Sequence, residues 1–147
     1  MNSHPTDQPK ETVGIASLGY YIPSGILTSS EISQRSSVPL HVFLEYLGME
    51  QKHIAAADEH PSEMGIKAAD KAIKKAGTKA EDIAIVAYCS TGPYDYRSWS
   101  PAARISAALG INNSYAFEVR NGCNGGNLGL IICKNLLWTT QTKNMPW

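Results

Sequence analysis

The stretch Glu118–Cys133, EVRNGCNGGNLGLIIC, sets Cys123 among Gly122, Gly125, Gly126 and Gly129, between an apolar segment and a longer apolar run. Upstream, SYAFEV reads as a strand ending near Val119, and downstream a helix opens near Asn124 and runs to about Trp138. Strand, sharp turn and helix make the context in which α/β proteins expose a nucleophile, because ligands bind beyond the carboxyl ends of the strands. Cys123 stands at that point. The start of a helix offers unpaired amides and the positive end of a dipole, which stabilise a thiolate and lower a cysteine pKa. The same amides can receive the negative oxygen of a tetrahedral adduct. A glycine inside a helix costs about 1 kcal/mol relative to alanine, so Gly125, Gly126 and Gly129 in the first turns need a compensating reason in packing or chemistry.

Two other readings of the turn compete with a nucleophile. Free cysteine is often a small buried hydrophobe, so a structural thiol against a glycine-rich helix contact is the bland alternative. A dinucleotide-binding turn also places glycines between strand and helix, but the spacing here is G-x-x-G-G-x-x-G, and TTQTKN stands where a ribose-binding acid would fall. A phosphate loop would need a Lys-Ser/Thr pair, which the stretch lacks.

Working outward, EDIAIVAYCS gives a strand over Ile83–Cys89, followed by an aromatic loop, TGPYDYRSW. A helix follows from Pro101 to Leu109, with proline in its first turn and Gly110 past its end. The strongest helix spans Ser62–Ala76, where Gly65, Ala69, Ala72 and Ala76 form a small-residue stripe suited to close packing on a sheet, and Gly77 closes it. VGIASLGYYIP predicts a buried, central strand over Val13–Leu18. Thr28 and Glu31 have the spacing of a capping box at the head of a short helix. PLHVFLEYLG predicts a second short helical piece ending at Gly48. The helix after Cys123 is apolar nearly all round, which predicts burial in a larger core. Strands made of apolar runs and separated by helices argue for an α/β fold with a mainly parallel sheet.

With 43% hydrophobic and 18% charged residues among 147, the chain can build a globular core. Thirteen basic and thirteen acidic residues cancel, so no global field attracts nucleic acid or an anionic membrane. The lysines of KAADKAIKKAGTK alternate with alanines as on a solvated helix face. Cys89, Cys123 and Cys133 are widely spaced, with no CxxC pair and no histidine at ligand spacing, which disfavours a zinc site or disulfide framework. The polar leader, residues 1–12, fits neither a secretory signal nor a transit peptide, and no apolar run reaches a membrane span. A soluble cytoplasmic protein without metal or cofactor is the expectation.

Taken in order, GYYIPSGILTSSEI, LGMEQKHIAAADEHPSEMGIKAADKAIKKAG, IAIVAYCSTG, SPAARISAALGI and AFEVRNGCNGGNLGL make the chain resemble the N-terminal half of the thiolase-superfamily condensing enzymes. Among these it is similar to β-ketoacyl-acyl carrier protein synthase III, and it is related to hydroxymethylglutaryl-CoA synthase. The resemblance covers roughly residues 13–138, leaving 139–147 as a truncated or aberrant tail. It implies the N-terminal half of a duplicated thiolase-like α/β fold, with a mainly parallel mixed sheet and helices on both sides. It implies further that Cys123 accepts an acyl group from an acyl-CoA or acyl-carrier-protein thioester, for fatty acid or polyketide biosynthesis in a cytoplasmic homodimer.

By the same resemblance, decarboxylation and condensation depend on a histidine and an asparagine of a C-terminal half that this sequence lacks. His4, His41, His53 and His60 all precede Cys123 in unrelated positions, and a polar loop contact is the expected role of His53. Little condensation is therefore expected from this chain. Priming enzymes of the family grip CoA with a tryptophan and an arginine where Val42 and Tyr46 stand here, which favours a carrier-protein or other donor. Trp99, with Tyr94 and Tyr96, falls where an aromatic reaches into the partner's acyl pocket or fills the dimer contact. Two alternatives remain: acyl transfer to a hydroxyl or amine, and a non-catalytic half that pairs with a complementary chain or with itself.

Overall fold

The computed structural model describes residues 12–92 and 95–143. The polar leader up to residue 11, Tyr94 and the end of the tail lie outside the described residues.

Two strands carry the centre of the molecule. Strand β3 (Ile85–Cys89) and strand β4 (Tyr115–Val119) pair in parallel, with Ile85 opposite Tyr115 and Cys89 opposite Val119. Both are runs of apolar and β-branched or aromatic residues, the composition of a strand covered on two sides. Helix α3 (Pro101–Ala108) forms the crossover between them. Ser100 caps it by accepting from the Ala103 amide at 3.1 Å, Pro101 occupies its first turn, and Gly110 at φ 70° turns the chain away.

Side chains alternate along a strand, so Glu118 and Val119 face opposite ways. Glu118 meets α3, where its carboxylate accepts from the Ser100 hydroxyl at 2.6 Å and the Ala102 amide at 3.3 Å. Val119 and Cys89 meet helix α4 (Gly125–Lys143) at Gly129. Helices therefore cover both faces, as the resemblance implied. The buried apolar side chains are Phe43, Ala102, Ile105, Ile111 and Val119, with Ile105 turned toward α2 and Val119 toward α4.

Helix α2 (Pro61–Ala76) begins and ends within a residue of its sequence expectation and closes on Gly77 at φ 66°. Its small-residue stripe packs on α3 at Gly65 and on the segment around Gly19 at Ala72. A Cβ on Gly65 would stand 3.0 Å from Ile105 Cδ1, and one on Gly19 only 2.1 Å from the Ala68 carbonyl oxygen. Arg104 and Glu63 join α3 to α2 at 2.8 Å.

The expected central strand at Val13–Leu18 is not a strand here. The segment runs extended along α2, held by the Ser17 hydroxyl donating to the Ala72 carbonyl at 2.7 Å and by Lys71 donating to the Tyr20 carbonyl at 3.2 Å. Ile15 and Leu18 stay 68% and 70% exposed, because no described strand lies alongside to pair with them.

In the chain between this segment and α2, strand β1 (Gly25–Thr28) and strand β2 (Gln51–Ile54) form an antiparallel pair. The capping box forms as expected at helix α1 (Ser29–Arg35): Thr28 Oγ1 accepts from the Glu31 amide at 3.2 Å, and the Thr28 amide donates to Glu31 Oε2 at 2.8 Å. The second helical piece is a π-helical turn over Val42–Tyr46, ahead of Gly48 at φ 60°, and it buries Phe43. Helix α4 starts as expected, continues past Trp138 to Lys143, and leaves Leu130 and Ile131 more than half exposed. Its expected burial is thus met only along the glycine face.

Candidate active site

Cys123 stands on a turn that the residues around it dictate. The Asn124 amide donates to the Asn121 carbonyl at 3.2 Å and the Gly125 amide to the Gly122 carbonyl at 3.1 Å, so the chain reverses tightly between β4 and α4. Gly122 takes φ 50°, a left-handed conformation that side-chain-bearing residues rarely adopt. The first α4 backbone bond runs from the Leu128 amide to the Asn124 carbonyl at 3.1 Å. That geometry leaves the Gly126 and Asn127 amides without an acceptor inside the helix. The Asn124 side-chain oxygen accepts from the side-chain Nδ2 of Asn127 at 3.0 Å.

Cys123 is exposed and opens on a hollow of about 360 Å³ lined by Cys89, Ser90, Thr91, Gly122, Gly125 and Gly126. These come from the carboxyl ends of two adjacent parallel strands and the start of the following helix, where α/β proteins place their ligands. The three helical glycines have different reasons. A Cβ on Gly129 would stand 2.3 Å from Cys89 Sγ, so only glycine lets the strand thiol sit against the helix. A Cβ on Gly125 would make ordinary contact with the Val119 carbonyl oxygen at 3.5 Å. Gly126 meets nothing within 4 Å and keeps the wall of the hollow bare.

Burial against the helix pushes the Cys89 thiol above its ordinary range. Burial does the same for Cys133, with a smaller upward contribution from Cys89 nearby. Beyond Thr91 the Arg120 guanidinium lies over Gly92, its Nη2 2.9 Å from where a Gly92 Cβ would stand. Ser90 joins the rim to β4 through its amide and the Val119 carbonyl at 3.2 Å.

The other candidates gather elsewhere. Tyr96 and Trp99 pack edge to face with ring centroids 5.1 Å apart, and Tyr96 lies 6.2 Å from the His60 ring. Their loop is tied to the start of α2 by Asp95, which accepts from the Ser62 hydroxyl and from its amide at 3.4 Å. Neither aromatic lines the hollow of Cys123. His53 lies on β2, where Nδ1 donates to the Pro23 carbonyl at 2.7 Å, the polar contact expected of it. Sequence reasoning missed Glu118 as the second cap of α3; its signal was an acid inside an otherwise apolar strand. It also missed Cys89 as a neighbour of Cys123, since a thiol at a strand end carries no mark of what packs beside it.

Among the described residues no group of histidine, cysteine, aspartate and glutamate is arranged to hold a metal ion, and no helix is long and apolar enough to cross a membrane. No family model matches the chain. A β-ketoacyl-[acyl-carrier-protein] synthase III of Sulfurovum sp. (strain NBC37-1) is 35% identical over 129 residues, 88% of this chain and 38% of that protein. The enzyme of the same name from Chlamydia caviae is 36% identical over 86% of this chain and 38% of its own. Among solved structures, 3-oxoacyl-(acyl carrier protein) synthase III from Pseudomonas aeruginosa PAO1 superposes with a TM-score of 0.73 at 27% identity, covering 84% of this chain and 37% of its own. The fold recurs in the 3-oxoacyl-[acyl-carrier-protein] synthase III of Aquifex aeolicus VF5, with a TM-score of 0.77 at 23% identity over 85% of this chain and 40% of that one. The chain is therefore similar along most of its length to β-ketoacyl-[acyl-carrier-protein] synthase III enzymes and shares their fold, spanning about two-fifths of the length of the relatives it matches.

Proposed function

We propose that Cys123 accepts an acyl group from an acyl-CoA or acyl-carrier-protein thioester, as the first half of a condensation of the β-ketoacyl-acyl carrier protein synthase III type in fatty acid or polyketide assembly. The observation that carries this reading is the exposed Cys123 sulfur at the head of α4, beside a bare glycine wall. In the transfer, the Cys123 thiolate attacks the thioester carbonyl and a new sulfur–carbon bond forms. The carbonyl oxygen takes the negative charge, for which the first-turn amides of α4 are the donors at hand. The donor's sulfur–carbon bond then breaks and its thiolate leaves. Exchange between thioesters needs little driving force, and holding the acyl group covalently makes any later carbon–carbon step effectively intramolecular.

That later step requires donors for an enolate oxygen, and the hollow around Cys123 is lined by no imidazole or side-chain amide among the described residues. The 147-residue chain on its own is thus proposed to load the acyl group without condensing it. In the whole enzyme, a cytoplasmic homodimer, the Tyr96–Trp99 pair would stand at the subunit contact beside the acyl pocket. Incubation with a radiolabelled acyl thioester tests the loading step: label retained by wild type and lost in Cys123→Ala supports it, and equal label on both proteins refutes it.

A specific observation favours a second reading, in which the chain is one half of a larger assembly that pairs with a complementary chain. Ile15, Leu18, Leu130 and Ile131 are all more than half exposed, and Ile15 and Leu130 line one hollow, so apolar side chains of two elements face outward together. The two readings are compatible, because the acyl-accepting turn lies wholly within this chain.

A further inference from the structure

The hollow that presents Cys123 has a second thiol in its wall. Cys89 ends β3, Cys123 follows β4, the two strands are hydrogen-bonded neighbours in register to Cys89 and Val119, and both cysteines line the same 360 Å³ space. We propose that Cys89 is a resolving thiol for Cys123, so that a hydroperoxide closes the site as a reversible Cys89–Cys123 disulfide. The inference rests on the reading of Cys123 as the reactive thiol of the hollow.

The chemistry balances in two steps. The Cys123 thiolate attacks the hydroxyl oxygen of the hydroperoxide; a sulfur–oxygen bond forms, the oxygen–oxygen bond breaks, and the departing alkoxide (hydroxide from hydrogen peroxide itself) takes a proton and leaves as an alcohol or water. Cys123 is then a sulfenic acid. The Cys89 sulfur attacks the Cys123 sulfur; the sulfur–sulfur bond forms, the sulfur–oxygen bond breaks, and the hydroxide leaves with the Cys89 proton as water. Two electrons pass from the two thiols to the peroxide.

The surroundings assign the roles. Cys89 and Cys123 are both exposed, but Cys123 alone stands at a helix start, the setting that favours a reactive thiol. Cys89 ends the neighbouring strand with its sulfur against Gly129, partial burial raises its thiol, and it lines the same hollow as Cys123, the place of a resolving thiol. Without such a partner, a sulfenic acid in an open hollow continues to the irreversible sulfinic and sulfonic acids. Cys133 lies one turn along α4 from Gly129 and near enough to Cys89 to be raised by it, but it does not line the hollow.

The test is hydrogen peroxide titration of the reduced chain, followed by peptide mass spectrometry without reduction. The expected result is a Cys89–Cys123 linked peptide in wild type and in Cys133→Ser, reversed by dithiothreitol, with at least a several-fold rise in Cys123 sulfinic acid in Cys89→Ser. Sulfinic acid at Cys123 in wild type without that linkage, a dominant Cys89–Cys133 peptide, or linkage only between chains would each overturn the inference. The wild-type peptide decides the matter even if Cys89→Ser does not fold. Acyl labelling of the same reduced preparation separates the two failures: label on Cys123 without linkage sinks the disulfide alone, whereas no label sinks the nucleophile reading.

Discussion

At the scale of single residues, the glycines around Cys123 divide by what lies over them. Gly129 is fixed by the Cys89 sulfur, which a methyl group would overlap. Gly129→Ala should destabilise the chain by about 1–3 kcal/mol through overpacking, read as a lower midpoint in urea denaturation. Gly126 has open space, so Gly126→Ala should hold or raise stability, by up to about 1 kcal/mol from helix propensity. The same methyl group would stand at the wall of the hollow and should slow acyl loading, separating stability from activity in one substitution. Burial raises the thiols of Cys89 and Cys133, so iodoacetamide should modify Cys123 first near neutral pH, with the other two gaining on it as pH rises. Peptide mapping of a time course checks the order. The position of Cys123 was legible in the sequence because strand, glycine turn and helix are local patterns. The role of Gly129 was not, since it depends on Cys89, forty residues earlier in the chain and adjacent only once β3 and β4 pair.

At the scale of elements, caps account for much of what the sequence allowed to be read. Thr28 and Glu31 announce α1 by spacing alone, and the box forms. Thr28→Ala should cost about 1 kcal/mol of local stability, seen as faster amide exchange in α1. The Glu31 carboxylate is held below its ordinary value of 4.5, first by the Thr28 backbone amide and then by the Thr28 hydroxyl. A lowered carboxylate pKa means that its contribution is present above the unfolded value and is lost as pH falls through the folded one. Exchange in α1 should accordingly quicken below about pH 4.5 relative to α2, once the intrinsic pH dependence of exchange is removed. Strands were harder to read. Val13–Leu18 has the composition of a central strand, but a strand also needs a neighbour, and among the described residues none stands beside it. The β1–β2 pair was missed for the converse reason: two four-residue segments, parted by α1 and a π-helical turn, carry no alternation that announces pairing.

At the scale of the whole molecule, the chain has a narrow core and a broad apolar surface. Only Phe43, Ala102, Ile105, Ile111 and Val119 are buried apolar side chains among the described residues, while one side of α4 and the segment beside it face outward. Leu130 and Leu137 line a hollow of about 240 Å³ with Val13 and Ile15, so these two exposed elements meet along an apolar seam. Size exclusion with light scattering should show the chain associating with itself or with a complementary chain, and a compact monomer at micromolar concentration would count against the half-assembly reading. The α/β class was legible because β3, α3 and β4 make a parallel unit from local signals. How much of α4 lies exposed was not, since an all-round apolar helix marks a core without saying which chain supplies it.

The central claim is that the sulfur on the turn between β4 and α4 takes an acyl group from a thioester. The most direct measurement is peptide mass spectrometry of the chain after exposure to an acyl thioester, with quenching at acid pH to preserve thioesters. The account predicts one acyl mass per chain, carried on the peptide that contains Cys123 and removed by hydroxylamine. An acyl group found instead on Cys89 or Cys133, or spread evenly over all three cysteines, would contradict it.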